Sequence, residues 1–152
     1  MSTFTINEIL SILETQRSFI DSIKPLSDEQ INWSPSKSEV SKRNTIGILL
    51  EHLTGAEKFL VHQVIFGMNV NRNRDAEFSH DKVRNKTDLV LNYEETAKKT
   101  TELLKSINDD TLKEMRSARG NERSVLWALL HVMEHNYYHI GQINYILAVM
   151  KN

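Results

Sequence analysis

Residues Ser124–Met150 read SVLWALLHVMEHNYYHIGQINYILAVM, and this stretch decides the fold class. Val125, Leu129, Val132, Ile140, Ile143 and Leu147 recur at the spacing of one helix face, and no proline interrupts them. The stretch therefore predicts one long helix. Looking outward, the only two prolines, Pro25 and Pro35, lie in the first quarter of the 152 residues. So long a proline-free remainder argues against a turn-rich all-β fold.

The rest divides in the same way. Thr5-x-x-Glu8 forms a capping-box pattern, and Ile6, Ile9, Leu13, Ile20 and Ile23 follow at helical spacing, interrupted by Gln16 and Arg17. The first helix is expected over Thr5–Lys24, ended by Pro25. Ser27–Gln30 is a second capping box, expected to start a short turn to Trp33, with a polar connection over Ser34–Arg43. The second helix is expected over Asn44–Phe66, with Ile46, Leu49, Leu53, Ala56, Leu60 and Val64 on one arc and Gly67 as its stop. Met68–Asn85, rich in Asn, Arg and Asp, reads as a long exposed loop. The third helix is expected over Thr87–Ile107, with a single turn at Thr111–Met115. Arg119-Gly120-Asn121 is a turn signal. With no strand pattern visible, the expectation is an all-α four-helix bundle, one domain over residues 1–152, whose uneven connections leave room for a long crossover.

Composition excludes several classes. At 39% hydrophobic and 26% charged residues the chain can bury a core without disulfides or metals. It has no apolar run of membrane-spanning length. Met1–Glu8 lacks the basic and apolar regions of a secretory signal. A formal net charge of −1 gives no electrostatic reason to expect nucleic acid as a partner. The absence of Cys rules out thiolate ligands and a cysteine nucleophile and fits a cytoplasmic location.

Three of the six histidines, His131, His135 and His139, stand at four-residue intervals. On a wheel with His135 at 0°, the apolar arc spans roughly 60° to 140°, His139 lies at about 40° beside it, and His131 at about −40°, further outward. His135 and His139 are thus the preferred pair for one metal ion. A third ligand must come from another helix, and His52, flanking the arc of Leu49, Leu53 and Ala56, is the best placed. His62 falls away from that arc and reads as a surface residue; His80 lies in the polar loop. Histidines four apart also arise at ordinary helix boundaries, so periodicity alone leaves half-buried surface residues as the competing reading.

At these residues the chain resembles the DinB-like superfamily, bacterial four-helix-bundle proteins that include YfiT-type metalloenzymes and bacillithiol and mycothiol transferases. Leu26–Pro35 is similar to the segment after that family's first helix. Thr45–Leu53 with Glu57 resembles its second-helix motif, and Ser124–Trp127, His131–His135 and His139–Ile143 its last-helix motif. The run from His-x-x-x-His into Gly141-Gln142 is the most specific of these signals. The resemblance implies that His52, His135 and His139 are the metal ligands, that the ion is divalent, nickel or zinc foremost, and that the protein is a homodimer. It implies no catalytic residue and no role for Glu57, whose plain reading is a solvated partner of Lys58 or a loop Arg, nor for Gln142, whose plain reading is a hydrogen bond either to a metal ligand or between helices.

The chemistry implied is an open metal site acting on a small molecule. In a thiol S-transferase the site takes up a low-molecular-weight thiol; in a metal-dependent hydrolase it takes up water; a non-catalytic metal-binding or stress-response role is the third reading. Trp127, Tyr138 and Tyr145 fall together off the apolar arc, which suits either satellite packing or a dimer face.

Overall fold

The computed structural model describes residues 4–36 and 43–151. The expected connection over Ser34–Arg43 therefore lies outside the described residues at 37–42, as does the N-terminal reading at residues 1–3.

The first expected helix forms as α1 (Ile6–Arg17) and, after a tight turn, α2 (Ile20–Ile23). Thr5 and Glu8 close a reciprocal capping box on α1, and Ser27 and Gln30 do the same for α3 (Asp28–Asn32). Helix α4 (Ile46–Glu57) starts on Thr45, whose side chain accepts from the Ile48 N–H, and runs on into a π-helical segment over Lys58–Ile65. Short α5 (Arg74–Glu77) precedes α6 (Lys86–Lys105), which is followed by a 3₁₀ turn over Asp109–Lys113. Strands β1 (Met115–Ala118) and β2 (Asn121–Ser124) form an antiparallel hairpin, and α7 (Val125–Met150) closes the fold. No helix among the described residues is long and apolar enough to cross a membrane.

The molecule is thus mostly helical, as expected, with a small two-stranded sheet where no strand was expected. The hairpin left no apolar alternation because its strands are largely exposed, with Ala118 their one buried residue. Its only trace in the sequence is the turn: Arg119 and Gly120 have φ values of 53° and 78°, the left-handed pair of a two-residue hairpin loop.

Two apolar clusters fill the interior. One gathers Ile9 and Leu13 of α1, Val61 and Ile65 of the π-helical segment, Leu104, and the first turns of α7. The other gathers Phe19, Ile23 and Ile31 with Ile46–Leu53 of α4, Val90 and Tyr93 of α6, and Ile143 and Ile146 of α7. On all four long helices a buried polar layer separates the clusters. Gln16 Nε2 donates to the Met133 carbonyl at 2.8 Å, and Asn136 Nδ2 to Gln16 Oε1 at 3.3 Å. Arg17 reaches Glu57 Oε1 at 2.9 Å and Thr101 Oγ1 at 2.8 Å. Gln16 and Arg17, the residues that break the apolar stripe of the first helix, are therefore its contribution to this layer. Glu57 is 2% exposed, so its reading as a solvated group is corrected. Burial and the Glu57 charge both push the neighbouring Tyr93 phenol up.

His62 also belongs inside, hydrogen-bonded through Nε2 to Thr100 Oγ1 at 3.0 Å, and not on the surface as the wheel suggested. A wheel at about 100° per residue holds only for an α-helix, and the i→i+5 bonding of a π-helix changes the rotation per residue. Moreover, α4 packs against α3, α5, α6 and α7, so little of its circumference is left to face water.

Candidate metal centre

His52 comes from α4, His135 and His139 from α7, and the helix packing brings the three rings together. Their centroids lie 4.8 Å (His52–His135), 4.9 Å (His52–His139) and 4.5 Å (His135–His139) apart. One nitrogen from each ring lies within 4.8 Å of the others, so the three histidines could form a metal site. His131, the outward member of the ladder, instead stacks on Trp127 with centroids 5.0 Å apart.

The surroundings decide which nitrogen each ring presents. His52 Nδ1 lies 2.8 Å from Glu77 Oε2. A carboxylate oxygen cannot face a lone pair at that distance, so Nδ1 carries the proton and Nε2 is free to coordinate. Arg72 grips the same carboxylate with two hydrogen bonds, at 2.6 Å and 2.8 Å. Burial alone would raise the Glu77 pKa, but the Arg72 and His52 hydrogen bonds outweigh it and hold Glu77 below the usual carboxylate range. His139 Nδ1 donates to Gln142 Oε1 at 2.7 Å, which likewise turns its Nε2 inward. His135 Nε2 lies 2.9 Å from His52 Nε2, and its Nδ1 is buried without a protein partner.

Burial, with the neighbouring histidines adding to it, pushes His135 down to about 3, and burial lowers His139 as well. Imidazole nitrogens converging on one point, two with their opposite N–H held by an oxygen, are the donor set a divalent cation accepts. The residues present fit such an ion.

Two supporting groups, Arg72 and Glu77, come from the stretch expected to be an exposed loop. That expectation is corrected: Glu77 is 6% and Arg84 3% exposed. Arg84 holds the stretch in place through the backbone carbonyls of Glu77, Ser79 and Lys82 at 2.7–3.0 Å and through Glu51 Oε2 at 2.7 Å. The polar composition concealed this, because these side chains are buried by pairing with one another. One signal was present in the sequence, Gly55 in the interior of a helix, where Gly is costly. A Cβ there would meet Glu77 Oε1 at 2.1 Å, so the glycine admits the carboxylate to His52.

A pocket of about 280 Å³ opens beside His52 and His135, and Arg72, Arg74, Arg119 and Arg123 stand in its wall.

A family model described as "Protein of unknown function (DUF1572)", a DinB-like family, matches residues 1–152. Among solved structures, a DinB-like protein from Bacillus cereus is similar with a TM-score of 0.77 and 17% identity, over 97% of this chain and 93% of that one. A second DinB-like protein, YjoA from Bacillus subtilis, has a TM-score of 0.70 and 17% identity, over 95% and 92%. The colibactin self-resistance protein ClbS, in complex with double-stranded DNA, has a TM-score of 0.68 and 11% identity, over 97% and 98%. At these identities the likeness is one of fold. No curated protein matches the chain. The ClbS complex corrects the expectation that nucleic acid is no partner: a protein of this fold is found with duplex DNA. Net charge was a poor guide because it sums over the whole surface, whereas nucleic-acid binding answers to local charge.

Proposed function

The chain belongs to the DinB-like family described as DUF1572, and from that premise we propose that it binds a divalent metal ion through His52, His135 and His139 and acts as a metal-dependent thiol S-transferase on a low-molecular-weight thiol. The observation that carries this reading is the convergence of the three imidazoles, with Glu77 and Gln142 fixing the tautomers of two of them. We read the fold as a single four-helix-bundle domain over residues 1–152, cytoplasmic and homodimeric. The exposed rings of Tyr138 and Tyr145 supply the dimer face. Trp127, grouped with them by the wheel, instead stacks beside the pocket on His131.

When bound, an ion held by neutral imidazoles supplies a charge that eases deprotonation of a thiol or water. Nickel and zinc both suit imidazole donors. The chain's own groups do the positioning. Glu77 and Gln142 hold His52 and His139 in the coordinating tautomer, and the pocket beside His52 and His135 gives a substrate access to the ligand face. With no Cys in the chain, a reacting thiolate belongs to the substrate. The same site supports a metal-dependent hydrolase as the alternative, and a non-catalytic metal-binding or stress-response role as the third reading. The ClbS complex adds duplex DNA to the partners worth testing, since arginines supply charge for phosphate contacts.

The test is elemental analysis of the purified protein, followed by conjugation assays with glutathione, bacillithiol and coenzyme A on model electrophiles, with and without chelator. Chelator-sensitive conjugation is the expected result. Chelator-sensitive hydrolysis of an ester panel in its place selects the hydrolase. Bound metal with no turnover on either panel selects the non-catalytic role, and rates indifferent to chelator overturn both enzymatic readings.

A further inference from the structure

We propose that Arg74, Arg119 and Arg123 form a receptor for an oxyanion, a carboxylate or phosphate group on the small molecule that occupies the pocket over the histidine cluster. The inference deepens the proposed function and rests on it for the statement that the anion belongs to the substrate.

Of the chain's eight arginines, seven fall into two sets, and Arg43 lines a different pocket. Arg17, Arg72, Arg84 and Arg116 are each ion-paired, to Glu57, Glu77, Glu51 and Glu114 respectively. Arg74, Arg119 and Arg123 make no ion pair or side-chain hydrogen bond among the described residues. Each instead lays its guanidinium over an aromatic ring: Arg74 over Phe78 with Cζ 5.0 Å from the centroid, Arg119 over Phe59 at 5.1 Å, and Arg123 over Trp127 at 5.1 Å. A cation–π contact supplies no hydrogen-bond acceptor to the guanidinium plane, so its N–H donors remain able to take a carboxylate or phosphate in bidentate fashion.

All three line the pocket that also reaches His52 and His135, and no Asp or Glu among the described residues lines it. Arg72, on the same wall, is already neutralised by Glu77. The pocket therefore carries three uncompensated positive charges in a chain whose formal net charge is −1. The hairpin puts two of them there, Arg123 on β2 and Arg119 in the turn at φ 53°, a backbone conformation that a non-glycine residue rarely adopts. At about 280 Å³ the cavity suits a small molecule.

The experiment titrates the full chain, metal-loaded and chelator-treated, with inorganic phosphate and with succinate at low ionic strength by calorimetry. Metal content is measured in parallel. The expected result is saturable binding of at least one of the two, weakened ten-fold or more in Arg119→Gly and Arg123→Gln and less than two-fold in Lys98→Gln, with metal content equal throughout. Arg119→Gly removes the guanidinium while favouring the turn's own backbone conformation. The better of the two ligands identifies the oxyanion as phosphate or carboxylate. Persistence of the arginine dependence in chelator-treated protein separates the receptor from direct binding to the metal. Equal affinity in wild type and both arginine variants overturns the proposal while leaving the metal reading intact. Arginine-dependent binding without any metal uptake upholds it and removes the metal reading. Arginine-dependent binding of a short DNA duplex, with neither small anion bound, overturns it in favour of a nucleic-acid surface.

Discussion

His139 and His52 each donate a hydrogen bond from Nδ1 to an oxygen, Gln142 Oε1 at 2.7 Å and Glu77 Oε2 at 2.8 Å, so the site is prepared by residues that would not themselves touch a metal. His135→Ala or His139→Ala is expected to abolish metal retention. Glu77→Gln or Gln142→Ala should weaken it about 10- to 100-fold, the usual cost of losing such a partner, read by competition with a chromophoric chelator. Affinities within two-fold of wild type would remove these two from the site. Glu57 acts at the same scale but for stability. Glu57→Ala leaves Arg17 without its carboxylate in the buried layer and should destabilise the fold by about 3–5 kcal/mol in urea titration. A loss of under about 1 kcal/mol would mean that water reaches the guanidinium.

At the scale of elements, α4 and the stretch around α5 act as a pair. Gly55→Ala raises intrinsic helix propensity yet pushes Glu77 off His52, so it should lower metal affinity as Glu77→Gln does and lower the thermal midpoint as well. A stabilised variant with unchanged affinity would show that Glu77 has room to move. The π-helical segment has its own test. His62→Ala should cost about 1–3 kcal/mol by leaving Thr100 Oγ1 unpaired in the layer, with metal stoichiometry unchanged. Loss of metal in that variant would place His62 in the site. The first and last helices, the capping boxes at Thr5 and Ser27 and the stop at Gly67 were legible in the sequence because they depend on neighbours three or four residues away. The hairpin and the ordered 68–85 stretch were not, because they are held by distant partners such as Glu51 and by exposed polar strands without apolar alternation.

Over the whole molecule, the buried histidines set the response to acid. Burial lowers His62, His135 and His139, with His135 at about 3 against an ordinary 6.5. As pH falls below the ordinary value, the unfolded chain takes up protons that the native chain refuses, so stability declines from there downward. Glu77, held below its ordinary range, adds a further loss at lower pH, as its carboxylate is protonated. Chelator-treated protein should therefore show a urea midpoint that is level above about pH 7 and falls steadily from about pH 6.5 to 4. A midpoint that stays level or rises over that range would mean that water reaches the rings.

Periodicity and punctuation by themselves determined the long helices, most of their ends, and the short set of histidines worth considering, since each of these follows from residues within a few turns of one another. Which histidines meet, which tautomers His52 and His139 adopt, and which polar residues are interior were decided only by the tertiary structure. Those outcomes depend on helices brought together from 83 positions apart in the case of His52 and His135. They depend also on the pairing of buried charges, which no single helix wheel represents.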